Sequence, residues 1–157
     1  TEKKIKKILK NRILILRISN IIGLTKNHKR KLHQTFIDHF VKFIKKGYLF
    51  ENNKIFKDFI SINKFCEIIL NIISKNIVGT YNLSLGKKVY LNQLVQWLNI
   101  HNNKKITKLN IKKGFNNDSF TLNNKKLMKK LKIKNSISEL KIDCKKISRK
   151  LFKINEK

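Results

Sequence analysis

Two spacings of apolar residues alternate along the chain. Residues 2–10 (EKKIKKILK) set Ile5, Ile8 and Leu9 at i, i+3 and i+4, which predicts the end of an amphipathic helix. Residues 13–19 (ILILRIS) open as an apolar run with β-branched side chains, which predicts a buried strand of the parallel-sheet kind. Asn20 to Gly23 form the strand exit, and the polar, basic stretch 24–33 (LTKNHKRKLH) predicts a loop. Phe36, Ile37, Phe40, Val41 and Ile44 return to helical spacing, with Gly47 placed to stop that helix. Residues 48–60 predict two short strands around a Glu51-Asn52-Asn53 turn.

The clearest helical stripe follows. Ile62, Phe65, Cys66, Ile69, Leu70 and Ile73 share one face, and Ser61 and Asn63 are both candidate caps. We read this stripe as core. Gly79 precedes a short strand, TYNLSL, that Gly86 ends, and Leu91, Leu94, Val95 and Leu98 predict a helix over 91–99. In 106–111, Thr107, Leu109 and Ile111 lie on one face of a half-exposed strand. A short helix near Asn123 carries Leu127 and Leu131. Ser136 or Ser138 caps a last helix that aligns Leu140, Cys144, Ile147 and Leu151. Trp97 is read as packing. Alternating helices and strands, without an internal repeat or a long linker, predict an α/β domain.

Composition then decides how the charge is read. Lys and Arg number 38 against 9 Asp and Glu, a net charge of +29, which by itself suggests a nucleic-acid partner. Yet Lys, Ile and Asn, with A/T-rich codons, number 34, 25 and 20, half of the 157 residues, while Ala and Pro are absent. Base bias in a genome produces that composition on any fold. Only Arg12, Arg17, Arg30 and Arg149 carry the bidentate fork favoured for reading phosphates and bases. The expectation is a solvated Lys surface that binds nucleic acid only non-specifically. A small basic nucleic-acid-binding protein is the alternative function. The hydrophobic fraction of 41% suffices for a core. No apolar run approaches the roughly 18 residues of a membrane span, so no membrane partner is expected. Cys66 and Cys144 lie far apart and suggest no disulfide framework, which fits a cytoplasmic location. His28, His33, His39 and His101 lack metal-ligand spacing.

Four segments stand in a recognisable order: ILRISNIIG (15–23), YLFENNKIFKDFISINKFCEIIL (48–70), GTYNLSLGKKVYLNQLVQWL (79–98) and FTLNNKKLMKKLKI (120–133). Together they resemble the C-terminal half of extended short-chain dehydrogenases/reductases, the NAD(P)-dependent nucleotide-sugar epimerase/dehydratase family. That family's pattern is a strand ending L-R-x-x-N-x-x-G, then R-D-F-I-x-V-x-D at a helix start, then G-x-Y-N-x-G. The resemblance implies the C-terminal portion of a Rossmann-like domain, supplying its last parallel strands, plus a small mixed α/β substrate-binding lobe. Residues 1–157 would form one interleaved unit. Residues 1–23 and 62–86 would complete the Rossmann-like sheet, and 24–61 and 87–157 would form the lobe. It further implies NAD or NADP as cofactor, a nucleoside-diphosphate sugar as substrate, and a homodimer when intact. In an intact member a Tyr acts as base on a sugar hydroxyl, a Lys lowers its pKa, and hydride passes to the nicotinamide.

The departures from the pattern are as informative. The Gly-rich turn for the cofactor pyrophosphate is missing. So is the Y-x-x-x-K pair, since Tyr48, Tyr81 and Tyr90 are followed four residues on by Asn52, Leu85 and Leu94. The opening TEKKIKKILKNRILILRISN is similar to the tail of the helix that carries that pair. The expectation is therefore a fragment: the substrate-binding half of an epimerase, dehydratase or reductase. It would hold no catalytic residue, be inactive alone and bind no nicotinamide cofactor tightly.

By the same resemblance, Asn20 at the strand end would contact the substrate near the nicotinamide. Lys57 would stand where the family commonly has an Arg on the substrate diphosphate, and Lys46 would offer a second phosphate contact. Lys supplies a point charge where Arg would grip with two parallel bonds. Asp58 is read as structural. Arg17, on a strand expected to be buried, needs a carboxylate or carbonyl partner.

Overall fold

The computed structural model describes residues 2–10, 12–24, 35–51, 54–104, 106–110 and 119–152. Nearly all of the expected loop at 24–33, Asn52 and Asn53 of the expected turn, and Ile111 lie outside the described residues.

The elements run α1 (Glu2–Leu9), β1 (Leu14–Ile18), β2 (Asn20–Ile22), α2 (Phe36–Lys45), β3 (Tyr48–Glu51), β4 (Phe56–Lys57) and β5 (Phe59–Ser61). Then come α3 (Ile62–Ser74), β6 (Gly79–Leu83), β7 (Val89–Tyr90), α4 (Leu91–Asn99), β8 (Thr107–Asn110), α5 (Lys125–Leu131) and α6 (Ile137–Leu151). Local chemistry sets several starts. Thr35 and Asp38 cap α2 reciprocally, the Ser61 hydroxyl accepts the Lys64 N–H to open α3, and Ser136 and Glu139 do for α6 what Thr35 and Asp38 do for α2. Asn63 lies inside α3 instead, donating its amide to Asp143 at 3.3 Å.

β2 and β5 form a wall between two cores. They pair in parallel, Asn20 opposite Phe59 and Ile22 opposite Ser61. Successive strand side chains point to opposite faces. Phe59 therefore enters one core with Ile22 and residues of α2, α4 and α6, while Ile60 enters another with residues of α3, α5 and β6. Leu94 and Leu98 in the first, and Ile68 and Leu127 in the second, are fully buried. Each such burial contributes about 1.5–3 kcal/mol. Trp97 packs half-buried against the first core, as read.

β1 pairs in parallel with β6, from Leu14 opposite Gly79 to Ile18 opposite Leu83. The two edges of this pair differ. α5 packs along β6, where Lys126 Nζ reaches the Thr80 carbonyl at 3.5 Å and the Asn82 amide donates to the Asn123 carbonyl at 2.8 Å. Among the described residues β1 has no strand on its other side. β3 pairs in parallel with β8, and β4 antiparallel with β7.

Two expectations are corrected. β1 is half-buried over Leu14–Leu16 and exposed at Arg17 and Ile18, because it has a neighbouring strand on one side only. Arg17 does find a carboxylate, Glu2 of α1, at 2.6 and 2.9 Å, but at the surface. The α3 stripe is the second correction. The buried line of α3 runs through Ile68 and Ile72; Phe65 and Ile69 are half-buried, and Ile62, Cys66, Leu70 and Ile73 are exposed. The apolar positions span roughly 200° of the helix at 100° per residue, and the core covers only part of that arc.

Candidate functional site

The Asp58 carboxylate, between β4 and β5, is fully buried and organises the region. Its Oδ1 accepts the Leu85 N–H at 3.0 Å, and its Oδ2 accepts the N–H groups of Gly86 at 3.1 Å and Leu122 at 3.0 Å. Its backbone carbonyl accepts both the Asn20 N–H at 3.2 Å and the Asn20 side-chain amide at 3.0 Å. One residue thus joins the start of β2, the exit of β6 and the segment before α5. Burial pushes the Asp58 carboxyl above its ordinary value, opposed by the N–H groups of Leu122, Gly86 and Leu85 and by Ser84. Gly86 is required here for two reasons. Its φ is +71°, and a Cβ would lie 2.4 Å from Asn124 Oδ1, whose amide is held by the Ser84 carbonyl at 2.7 Å.

Lys57 is the residue before this hub. It sits half-buried on β4, opposite Val89 of β7, with Nζ 5.9 Å from the centroid of the Phe120 ring. That is the outer reach of a cation–π contact. Phe120 is brought there because both sides of it are tied: Ser119 Oγ accepts the Phe56 N–H at 3.2 Å, and Leu122 is held by Asp58. On the adjoining register pair, Phe56 and Tyr90 meet edge to face at 5.9 Å and Lys88 Nζ stands 4.8 Å over the Phe56 ring. The antiparallel ribbon therefore carries lysines and aromatic rings together.

Of the sequence-predicted residues, Asn20 bonds the carbonyl of Asp58, the residue next to Lys57, and no described contact joins the Asn20 and Lys57 side chains. Asp58 itself has the structural role read for it. Lys46 ends α2, exposed, and no described contact joins it to the other two. Phe120, Phe56, Tyr90 and Lys88 were not foreseen. Phe120 reaches Lys57 from 63 residues away in the chain, while Lys88 and Tyr90 meet at Phe56, and only the ribbon register could have paired Phe56 with Tyr90.

A separate cleft of about 530 Å³ opens between the Gly86 turn and α5. The Asn135 amide borders it, donating to the Ser84 carbonyl at 2.9 Å while its buried Oδ1 has no partner. Lysines are three of its twelve lining residues, close to 34 of 157 in the chain, so charge does not mark it as an anion site. Among the described residues, no group of three His, Cys, Asp or Glu is placed to hold a metal ion. No described helix is long and apolar enough to cross a membrane.

No protein-family model matches the chain, and no curated protein matches its sequence. Solved structures do match. A UDP-N-acetylglucosamine 4-epimerase from Methanobrevibacter ruminantium, in complex with UDP-N-acetylmuramic acid, aligns with TM-score 0.68 and 16% identity over 94% of this chain and 49% of its own. RMD from Pseudomonas aeruginosa, complexed with NADPH, aligns with TM-score 0.70 and 14% identity over 96% of this chain and 51% of its own. A dTDP-glucose 4,6-dehydratase from Bacillus anthracis, in complex with NAD, aligns with TM-score 0.65 and 16% identity over 96% and 48%. The chain spans about half the length of these structures. What it shares with them is a fold: a mixed α/β arrangement with short parallel strand pairs, equivalent to about half of a Rossmann-like NAD-dependent epimerase or dehydratase.

Proposed function

We propose that this chain is the substrate-binding half of an NAD(P)-dependent nucleotide-sugar epimerase, dehydratase or reductase. The observation that carries the reading is the Asn20–Asp58–Lys57 junction, set at strand ends in a fold shared with nucleotide-sugar enzymes. Ligands in parallel α/β sheets bind beyond the carboxyl ends of strands. Asn20, just past β1, spends its N–H groups on the Asp58 carbonyl, which orients its Oδ1 to accept from a sugar hydroxyl. Lys57 supplies a positive charge for the diphosphate. The Phe120 ring beside Lys57 offers apolar surface for a base.

The described residues do not fit the cofactor's pyrophosphate. That group needs glycine backbone open to close approach. A Cβ at Gly23 would strike Ile62 at 2.9 Å, and Gly79 and Gly86 face Tyr81 and Asn124. Gly47 is open but stands alone at the end of α2. In this reading the nicotinamide cofactor and the Tyr–Lys pair belong to the half of the fold that the chain does not span, and the chain alone turns over nothing.

Calorimetric titration with a UDP-sugar, and separately with a generic DNA duplex, tests the reading. Lys57→Ala should weaken sugar-nucleotide binding by roughly ten- to a hundred-fold, the loss of one charge-assisted contact of about 1.5–3 kcal/mol. Asn20→Ala should weaken it as well, and the exposed Lys150→Ala should not. Duplex binding should be weak, salt-sensitive and unaffected by any one of these changes. If Lys57→Ala spares the UDP-sugar and abolishes tight, sequence-selective duplex binding, the chain is a basic nucleic-acid-binding protein instead.

A further inference from the structure

We infer that the cleft between the Gly86 turn and α5 is a binding site for a neutral polyhydroxylated ring, a sugar or a cyclic polyol. The cleft holds about 530 Å³, within the ~300–1,000 Å³ usual for small-molecule sites. Asn20, Lys57 and Phe120 do not line it, so the inference stands apart from the functional reading above.

Two side-chain oxygens carry it. The Ser84 carbonyl accepts the amide of Asn124 at 2.7 Å and that of Asn135 at 2.9 Å. A carbonyl oxygen has two lone pairs, so this acceptor is full. Each amide is thereby fixed with its nitrogen toward Ser84 and its oxygen turned away. Asn135 Oδ1 is buried without a partner. Asn124 Oδ1 lies over Gly86, where a Cβ would come within 2.4 Å of it, and among the described residues no group donates to it. A buried acceptor left unpaired is costly, and two such oxygens border one cleft. The turn beneath them is held in place: Asp58 accepts the Leu85 and Gly86 N–H groups, and the Ser84 hydroxyl donates to the Leu122 carbonyl at 3.2 Å.

The lining selects the ligand. Lys87, Lys125 and Lys134 border the cleft, exposed, and repel a cation. The two amide oxygens are the negative ends of their dipoles and repel an anion. A neutral group that both donates and accepts serves the oxygens and the lysines together, and a hydroxyl is such a group. A ring carrying several hydroxyls suits the cleft better than separate waters, because Leu85, Leu122, Met128 and Ile133 also line it and can cover the C–H face of the ring. Asn135 Oδ1 is covered in the free chain, so the ligand reaches it with a local shift of the cleft wall.

Amide NMR titration of the 157-residue chain tests the inference, with methyl glucoside, methyl galactoside, N-acetylglucosamine and myo-inositol as probes. At least one should shift the Gly86 N–H and the side-chain amides of Asn124 and Asn135 saturably, with half-saturation near 1 mM, roughly the strength one small ring attains. Cyclohexanol, a ring of similar size with a single hydroxyl, should bind at least about tenfold more weakly. Lys134→Trp, at an exposed lining position, should fill the cleft and abolish the shifts while the melting curve stays in place. Lys129→Trp, exposed on α5 outside the lining, should retain them. No saturable shift with any of the four probes, equal binding of cyclohexanol, tighter binding of inorganic phosphate, or binding that survives Lys134→Trp would each overturn the inference. Its failure is separable from that of the proposed function. Lys57→Ala should leave binding of the uncharged probes unchanged, and Lys134→Trp should leave Lys57-dependent UDP-sugar binding unchanged.

Discussion

Asp58 offers the sharpest test of how this half-fold holds its site. Asp58→Ala leaves the N–H groups of Leu85, Gly86 and Leu122 without the carboxylate that accepts them. At about 1–3 kcal/mol for each buried unpaired donor, the cost is roughly 3–9 kcal/mol, comparable to the whole 5–15 kcal/mol stability of an ordinary domain. Asp58→Asn is a gentler probe. Its oxygen can serve Leu85 and Gly86, but its amide then meets the Leu122 N–H donor to donor, a loss of about 1.5–3 kcal/mol. Urea unfolding should rank the proteins wild type, Asn, Ala. Hydrogen exchange in the Asn variant should quicken at Leu122 and not at Leu85. The pH dependence has a definite sign. The folded carboxyl titrates above its ordinary value, so between the unfolded and folded values the folded chain holds a proton that the unfolded chain has released. The Asp58 contribution to stability therefore falls as pH rises through that window and levels off above it. Asp58→Asn should remove that slope. An Ala variant within about 1 kcal/mol of wild type would show that Asp58 is not the tie described here.

Gly86→Ala should lower stability by about 1–3 kcal/mol through its positive φ, with a further loss as Asn124 is displaced from the Ser84 carbonyl; thermal melting measures it. Gly47→Ala, also at positive φ but with open space around it, should cost less. In the native chain a maleimide should modify the exposed Cys66 and spare Cys144, whose thiol burial pushes up to about 12; mass spectrometry before and after unfolding distinguishes them.

The sequence by itself determined most of the elements, because their signals are local. Apolar spacing located α2, α4, α5 and α6, and hydroxyl side chains at Ser61 and Ser136 set two helix starts. Segment order carried the fold further, to half of a Rossmann-like body, and marked Asn20 and Lys57. Tertiary structure decided the rest. Spacing showed that α3 has an apolar arc but not which part of it the core would cover, since that depends on where β1, β6 and α5 lie beneath it. The run at 13–19 reads as buried on any chain, yet a strand with one neighbour stays half-exposed. Phe120 reaches Lys57 only because Asp58 and Ser119 tie distant backbone amides, Phe56 meets Tyr90 only through the ribbon register, and no local pattern records a hydrogen bond across 63 residues.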